Sequence, residues 1–120
     1  MDRKEIQEQR IRNYFIEATR EMLKGEGLRS INVRAVAERA GYSYATLYNY
    51  FKDIKELIFI CVKGFQDEAE QSITSATVNI APGREKIKAI MKAYIHYFVQ
   101  YPGIFELFFV EKMNDIGASQ

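Results

Sequence analysis

Gly41 restricts this chain more than any other residue. Before it, Val33, Val36, Ala37 and Ala40 recur at three- and four-residue spacing, the apolar face of a short helix, and a glycine that tolerates positive φ ends that helix. After it, at about 100° per residue, Leu47, Tyr50 and Phe51 fall on one side of a second helix and Ala45 and Asn49 lie opposite. Tyr44 and Tyr48 flank that outer face, and Thr46 sits on its other edge. The chain therefore reverses sharply between two short helices within residues 32–51. Asn32 and Ser43 stand where each helix needs a side-chain acceptor for the unpaired N–H groups of its first turn. A solvated face ordinarily carries Lys and Glu. Outward Tyr, Thr and Asn instead make a surface for contact, and a grooved partner such as duplex DNA suits it.

Helical periodicity continues on both sides with no sustained strand alternation, no repeat and no low-complexity stretch, so the expected fold is all-α with about six helices. The first helix is expected over about Arg3 to Lys24, burying Ile11, Phe15, Ala18 and Met22, with Gly25 or Gly27 closing it. Leu28 and Ile31 lead into the reversal. A linking helix, about Ile54 to Ser75, places Leu57, Ile58, Cys61, Phe65, Ala69 and Ile73 on one stripe. Pro82 and Gly83 break the chain before a helix from about Arg84 to Gln100. Tyr101, Pro102 and Gly103 break it again before a last helix from about Ile104 to Asn114. This divides the chain into an N-terminal three-helix head, residues 1–53, and a helical region, residues 54–120.

Hydrophobic residues at 48% and charged residues at 28% describe a globular chain with one core of moderate size. The longest apolar run, Leu57 to Val62, is far short of the roughly 20 residues that span a bilayer, so no membrane contact is expected. The first ten residues alternate charges and lack the apolar stretch of a signal peptide, and the single cysteine, Cys61, has no internal partner. The expected location is cytoplasmic. Residues 1–56 hold eleven Lys and Arg against nine Asp and Glu, and residues 57–120 hold six against seven. A charge split this small means that attraction to DNA would come from a few local cations and helix N-termini, not from a basic surface.

The segment VRAVAERAGYSYATLYNYFKDIKELI resembles the DNA-binding core of the TetR family of bacterial transcription regulators. The resemblance is carried by the Ala-Gly turn, the Ser cap, the Thr-Leu-Tyr triplet, the aromatic pair Tyr50-Phe51 and then Lys55-Glu56-Leu57; with Gly27 and the Phe15 to Leu23 helix it covers roughly residues 8–60. It implies a helix-turn-helix whose second helix, Tyr44 to Tyr50, enters the major groove. Tyr44, Ala45, Thr46 and Asn49 would approach base edges, and Ser43 would cap that helix. Asn32, Arg34, Tyr48 and Lys55, with Lys52 beside them, would hold phosphates. Tyr42 stands where the family commonly has a smaller aliphatic residue, Asn49 where it has an aromatic, and Tyr50 where it often has His. The resemblance further implies a repressor, a double-stranded DNA operator, a ligand-sensing and dimerisation domain after the head, and a homodimer paired through C-terminal helices. A chain of 120 residues leaves little length for those helices.

Phe65, Tyr94, Tyr97, Phe98, Tyr101, Phe105 and Phe108 are candidates to line a cavity for a small apolar or aromatic effector. The same rings also fit ordinary core packing, or a surface that meets a further helix or a second subunit. His96 has neither Cys nor a carboxylate pair near it, Cys61 reads as a small buried hydrophobe, and Asp67, Glu68 and Glu70 read as a solvated face. No phosphate loop, nucleophile elbow or zinc spacing occurs, so neither enzyme chemistry nor a cofactor or metal is expected. The competing expectation is a helical interaction or carrier protein that pairs with a full-length relative without binding DNA.

Overall fold

Asp2 opens the first helix by accepting a hydrogen bond from the Glu5 N–H at 2.8 Å. The computed structural model describes residues 2–107, and among them every regular element is helical. Helix α1 spans Arg3–Glu26 and ends at Gly27, whose φ of 82° lets its N–H reach back to the Met22 and Leu23 carbonyls. A single 3-10 turn, Leu28–Ser30, leads to α2, Val33–Ala40. Gly41, left-handed at φ 87°, turns the chain into α3, Tyr44–Leu47. Asp53 caps α4, Ile54–Thr77, by accepting from Glu56 N–H at 2.9 Å, while the Glu56 carboxylate reaches back to Lys52 N–H at 3.0 Å. Then come α5, Arg84–Gln100, and α6, Pro102–Phe105, which continues as a wider turn through Leu107.

Phe15, fully buried, organises the head. Its ring meets Phe51 edge-on at 6.2 Å and lies near Tyr42 and Tyr50, while Val36, Ala37 and Leu47 close the same cluster. Leu57, Ile58, Cys61, Val62, Phe65 and Ala69 of α4, with Tyr97, Ile104 and Leu107, extend it. The apolar core is thus continuous across residues 53 and 54. The α4 stripe read from periodicity is buried at all six positions, and on α1 Ile11 is half-buried where Phe15, Ala18 and Met22 are buried.

Three expectations change. The helix read as Tyr44 to Tyr50 is α-helical only to Leu47; beyond it Asn49 N–H bonds to Thr46 O and Tyr50 N–H to Leu47 O, both at 3.0 Å, the tighter i to i+3 pattern. The tightened turn brings the Tyr50 and Phe51 rings to Phe15 of α1. Second, Pro102 and Gly103 do not merely break the chain: the break is at Tyr101, and Pro102 starts α6, where its missing N–H costs nothing. The rest of the helix expected to reach Asn114 lies outside the described residues. Third, Glu68 is not simply solvated, because Arg20 of α1 pairs with it and lays its guanidinium 4.7 Å from the Phe65 ring centre.

Helices α4 and α5 form an arm, joined by residues 78–83. Tyr97 is the one buried residue of α5, whereas Ile87, Met91, Ile95 and Val99 stand exposed along its outer side, Val99 by 73%. A radius of gyration of 16.9 Å, against about 14 Å for a compact chain of this length, reflects that projection. No helix among the described residues is long and apolar enough to cross a membrane.

Cys61 on α4 is 1% exposed and points its thiol at the Ile16 carbonyl, 3.7 Å away. Burial raises its pKa from 9.0 to about 12, with Arg20 pulling weakly the other way. Thiolate is the reactive form, so the folded chain should react with a thiol reagent at pH 8 about a thousandfold more slowly than the denatured chain. Equal labelling rates in buffer and in denaturant would refute this. The sign for stability follows: the unfolded thiol ionises first, so stability from this group is intact below pH 9.0 and falls as pH rises toward 12.

Candidate nucleic-acid interface

The turn at Gly41 joins the C-terminal end of α2 directly to the N-terminus of α3. Asn32 accepts from Ala35 N–H at 2.8 Å and Ser43 from Thr46 N–H at 3.2 Å, so each short helix begins with a bonded cap. The Ser43 and Thr46 hydroxyls also bond each other at 3.0 Å. Both are therefore held in place locally, and Thr46 is half-buried. Arg34 in the first turn of α2 places its guanidinium 5.5 Å from the centre of the Tyr44 ring. That contact orients the first aromatic of α3 and holds a cation beside it.

On the outer side of this unit Tyr44 is 51% and Tyr48 49% exposed, and Ala45 and Asn49 between them are exposed too. The inner side, Leu47 and Phe51, is buried, and Tyr50 is half-buried. The structure thus gathers Tyr44, Ala45, Tyr48 and Asn49 on one projecting surface over a rigid base. Asn32 and Arg34 are exposed at the start of α2, and Lys52 and Lys55 at the start of α4. Arg39, also on α2, faces elsewhere: it pairs with Glu26 at 3.2 Å and Glu21 at 3.7 Å, tying α2 to α1. Tyr42 stacks with Tyr14 at 6.3 Å and tilts against Phe15 at 5.7 Å, so the large ring in the turn is bound to α1. Nothing in the local sequence signals that pairing, because Tyr14 and Tyr42 are joined only by the fold.

The candidate effector residues divide. Tyr94, Phe98 and Phe105 line an open apolar groove of about 460 Å³ together with Ile95, Val99 and Pro102. Phe65 is instead fully buried in the core, under Arg20 and Lys24. Tyr101 packs against Tyr97 and lies 4.9 Å from the Lys24 ammonium, whose pKa is lowered by burial and then by Arg20. Tyr97 is buried with a hydroxyl that has no hydrogen-bond partner among the described residues, and burial followed by Tyr101 raises its pKa. Phe108 lies outside the described residues. His96 borders a second groove between α4 and α5, and among the described residues no three His, Cys, Asp or Glu side chains gather as metal ligands.

Residues 15–59 match the family of bacterial regulatory proteins, tetR family. The fold resembles the crystal structure of a TetR family transcription regulator from Marinobacter aquaeolei VT8, with a TM-score of 0.63 and 23% sequence identity, over 87% of this chain and 53% of that one. The chain therefore spans about half the length of that protein.

Proposed function

We propose, from the match of residues 15–59 to the tetR family, that this chain is a sequence-specific DNA-binding transcriptional regulator. The observation that carries the reading is the projecting surface of Tyr44, Ala45, Tyr48 and Asn49, mounted on two capped helices whose inner sides are buried. Tyr44, Ala45, Thr46 and Asn49 read base edges in the major groove. Asn32, Arg34, Tyr48, Lys52 and Lys55 hold the flanking phosphates, which set register and carry no sequence information themselves. Ser43 keeps the reading helix wound. Occupying an operator excludes other proteins from it, and the regulator acts as a repressor.

Release is assigned to a small apolar or aromatic molecule in the groove of Tyr94, Phe98 and Phe105. Pro102 and Phe105 form one wall of that groove, and the same helix, α6, packs against the C-terminal end of α1. A ligand that shifts α6 therefore acts on α1 and α4 together and alters the placement of the head. Reading a two-fold operator takes two heads, and Ile87 and Met91 of α5, exposed and outside the effector groove, supply apolar surface for a homodimer.

The test is selection of bound duplexes from a random pool by the purified chain, followed by binding at several salt concentrations. A recovered consensus, with affinity falling steeply as salt rises, supports the reading. A chain that selects no consensus and binds no duplex at low salt overturns it. Mass in solution, measured alone and with a full-length relative, then decides for a partner-capturing protein if mixed dimers form.

A further inference from the structure

A second surface lies beside the reading helix and is made by α1. Arg3, Ile6, Gln7, Arg10, Ile11 and Tyr14 line a groove of about 520 Å³ whose far wall is Tyr42, the residue before the Ser43 cap. The stacked rings of Tyr14 and Tyr42 floor one end of it.

The charges of α1 are sorted around this groove. At about 100° per residue Arg3, Gln7, Arg10 and Tyr14 fall within about 60° of one another, while Glu5 and Glu8 point roughly 140° or more from Arg3. Among the described residues neither Arg3 nor Arg10 has a carboxylate partner, in contrast to Arg20 and Arg39. The C-terminal end of α1 is sealed against α4 and α6, but residues 2–10 are exposed throughout. Two unpaired guanidinium groups, an amide and a tyrosine hydroxyl along one open face make a donor-rich track. Seven residues of helix separate the arginines by about 10 Å, far enough apart for the two side chains to reach different phosphates of one strand.

We propose that this α1–Tyr42 groove is a second DNA-backbone site that grips phosphates lateral to the base pairs read by α3. It rests on the proposed DNA-binding function and extends it: the footprint is wider than the reading helix, and Tyr42 holds the two contacts at a constant spacing. Tyr42 thereby acts as a positioning residue through its stack on Tyr14.

The test uses the whole chain with Arg3→Ala and Arg10→Ala combined, on a duplex obtained by selection, in two lengths: one trimmed to the consensus and one with about ten further base pairs on each side. On the long duplex the double variant should bind about tenfold more weakly and lose nearly two units of the log K against log salt slope. On the trimmed duplex it should match the parent, and it should select the same consensus. Both arginines are exposed, and an unchanged melting temperature checks the fold. Parental affinity and salt slope on the long duplex, in a chain that still weakens with Lys55→Ala, would overturn the second site and leave the reading head intact. A parent chain that binds neither duplex overturns both.

Discussion

Gly103→Ala is expected to destabilise the chain by about 2–3 kcal/mol, a large effect for a single methyl. Gly103 sits in α6 directly against the last turns of α1. A Cβ there would lie 2.8 Å from the Lys24 carbonyl oxygen and nearer still to that of Leu23, and both are backbone atoms that no rotamer change can move. Helix α6 would have to lift away from α1, and Ile104 and Leu107, both fully buried, would lift with it. The cost is therefore overpacking followed by lost burial. Gly25→Ala provides the internal comparison: it lies within α1, no atom of the described residues comes within 4 Å of its added Cβ, and alanine there should be neutral or stabilising by up to about 1 kcal/mol. Urea denaturation of the parent and both variants reads the difference as a shift of midpoint. Coincident midpoints for Gly103→Ala and the parent would mean that α6 does not bear on α1, and the proposed route from the effector groove to the head would go with it.

The second large effect concerns DNA. Tyr44→Ala should redistribute sequence preference, weakening binding to the selected duplex by about 10- to 100-fold while leaving the salt slope nearly unchanged. Lys55→Ala should weaken binding to every duplex alike and lower the salt slope by about one unit. Because Arg34 lies over the Tyr44 ring, the alanine variant also frees a cation. Tyr44→Phe separates the two roles, since it keeps the ring beneath Arg34 and removes only the hydroxyl. A phenylalanine variant with altered preference places readout in the hydroxyl; one with parental preference places it in ring contact. Identical losses from Tyr44→Ala and Lys55→Ala across all sequences would contradict the division into reading and gripping residues.

On the proposed DNA-binding function, a head of such small net charge must rely on where its cations sit. Residues 1–56 carry an excess of two positive charges, too few for a strong general field. The structure concentrates cations instead: Arg34 beside Tyr44, Lys52 and Lys55 at the start of α4, and Arg3 and Arg10 along α1. Other basic residues are tied up internally, Arg20 with Glu68 and Arg39 with Glu21 and Glu26.

What could be read from residue order alone was whatever depends on neighbours a few positions apart. Asn32 and Ser43 cap helices through bonds to N–H groups three residues on, and Gly27 and Gly41 end helices because their own φ is positive. The bounds of α5 and the buried stripe of α4 follow from local breakers and from the 3.6-residue period. Tertiary packing decided the rest. Helix α3 tightens after Leu47 because Tyr50 and Phe51 must reach Phe15, and Phe65 is core because α1 lays Arg20 and Lys24 over it. Tyr42 faces Tyr14, and Gly103 meets the carbonyls of Leu23 and Lys24, across separations of 28 and about 80 residues. Hydrogen bonds of caps and turns are satisfied within one helical turn, so they are written in adjacent residues. Contacts between helices arise only after the chain has closed long loops, and no short window of sequence contains both sides of them.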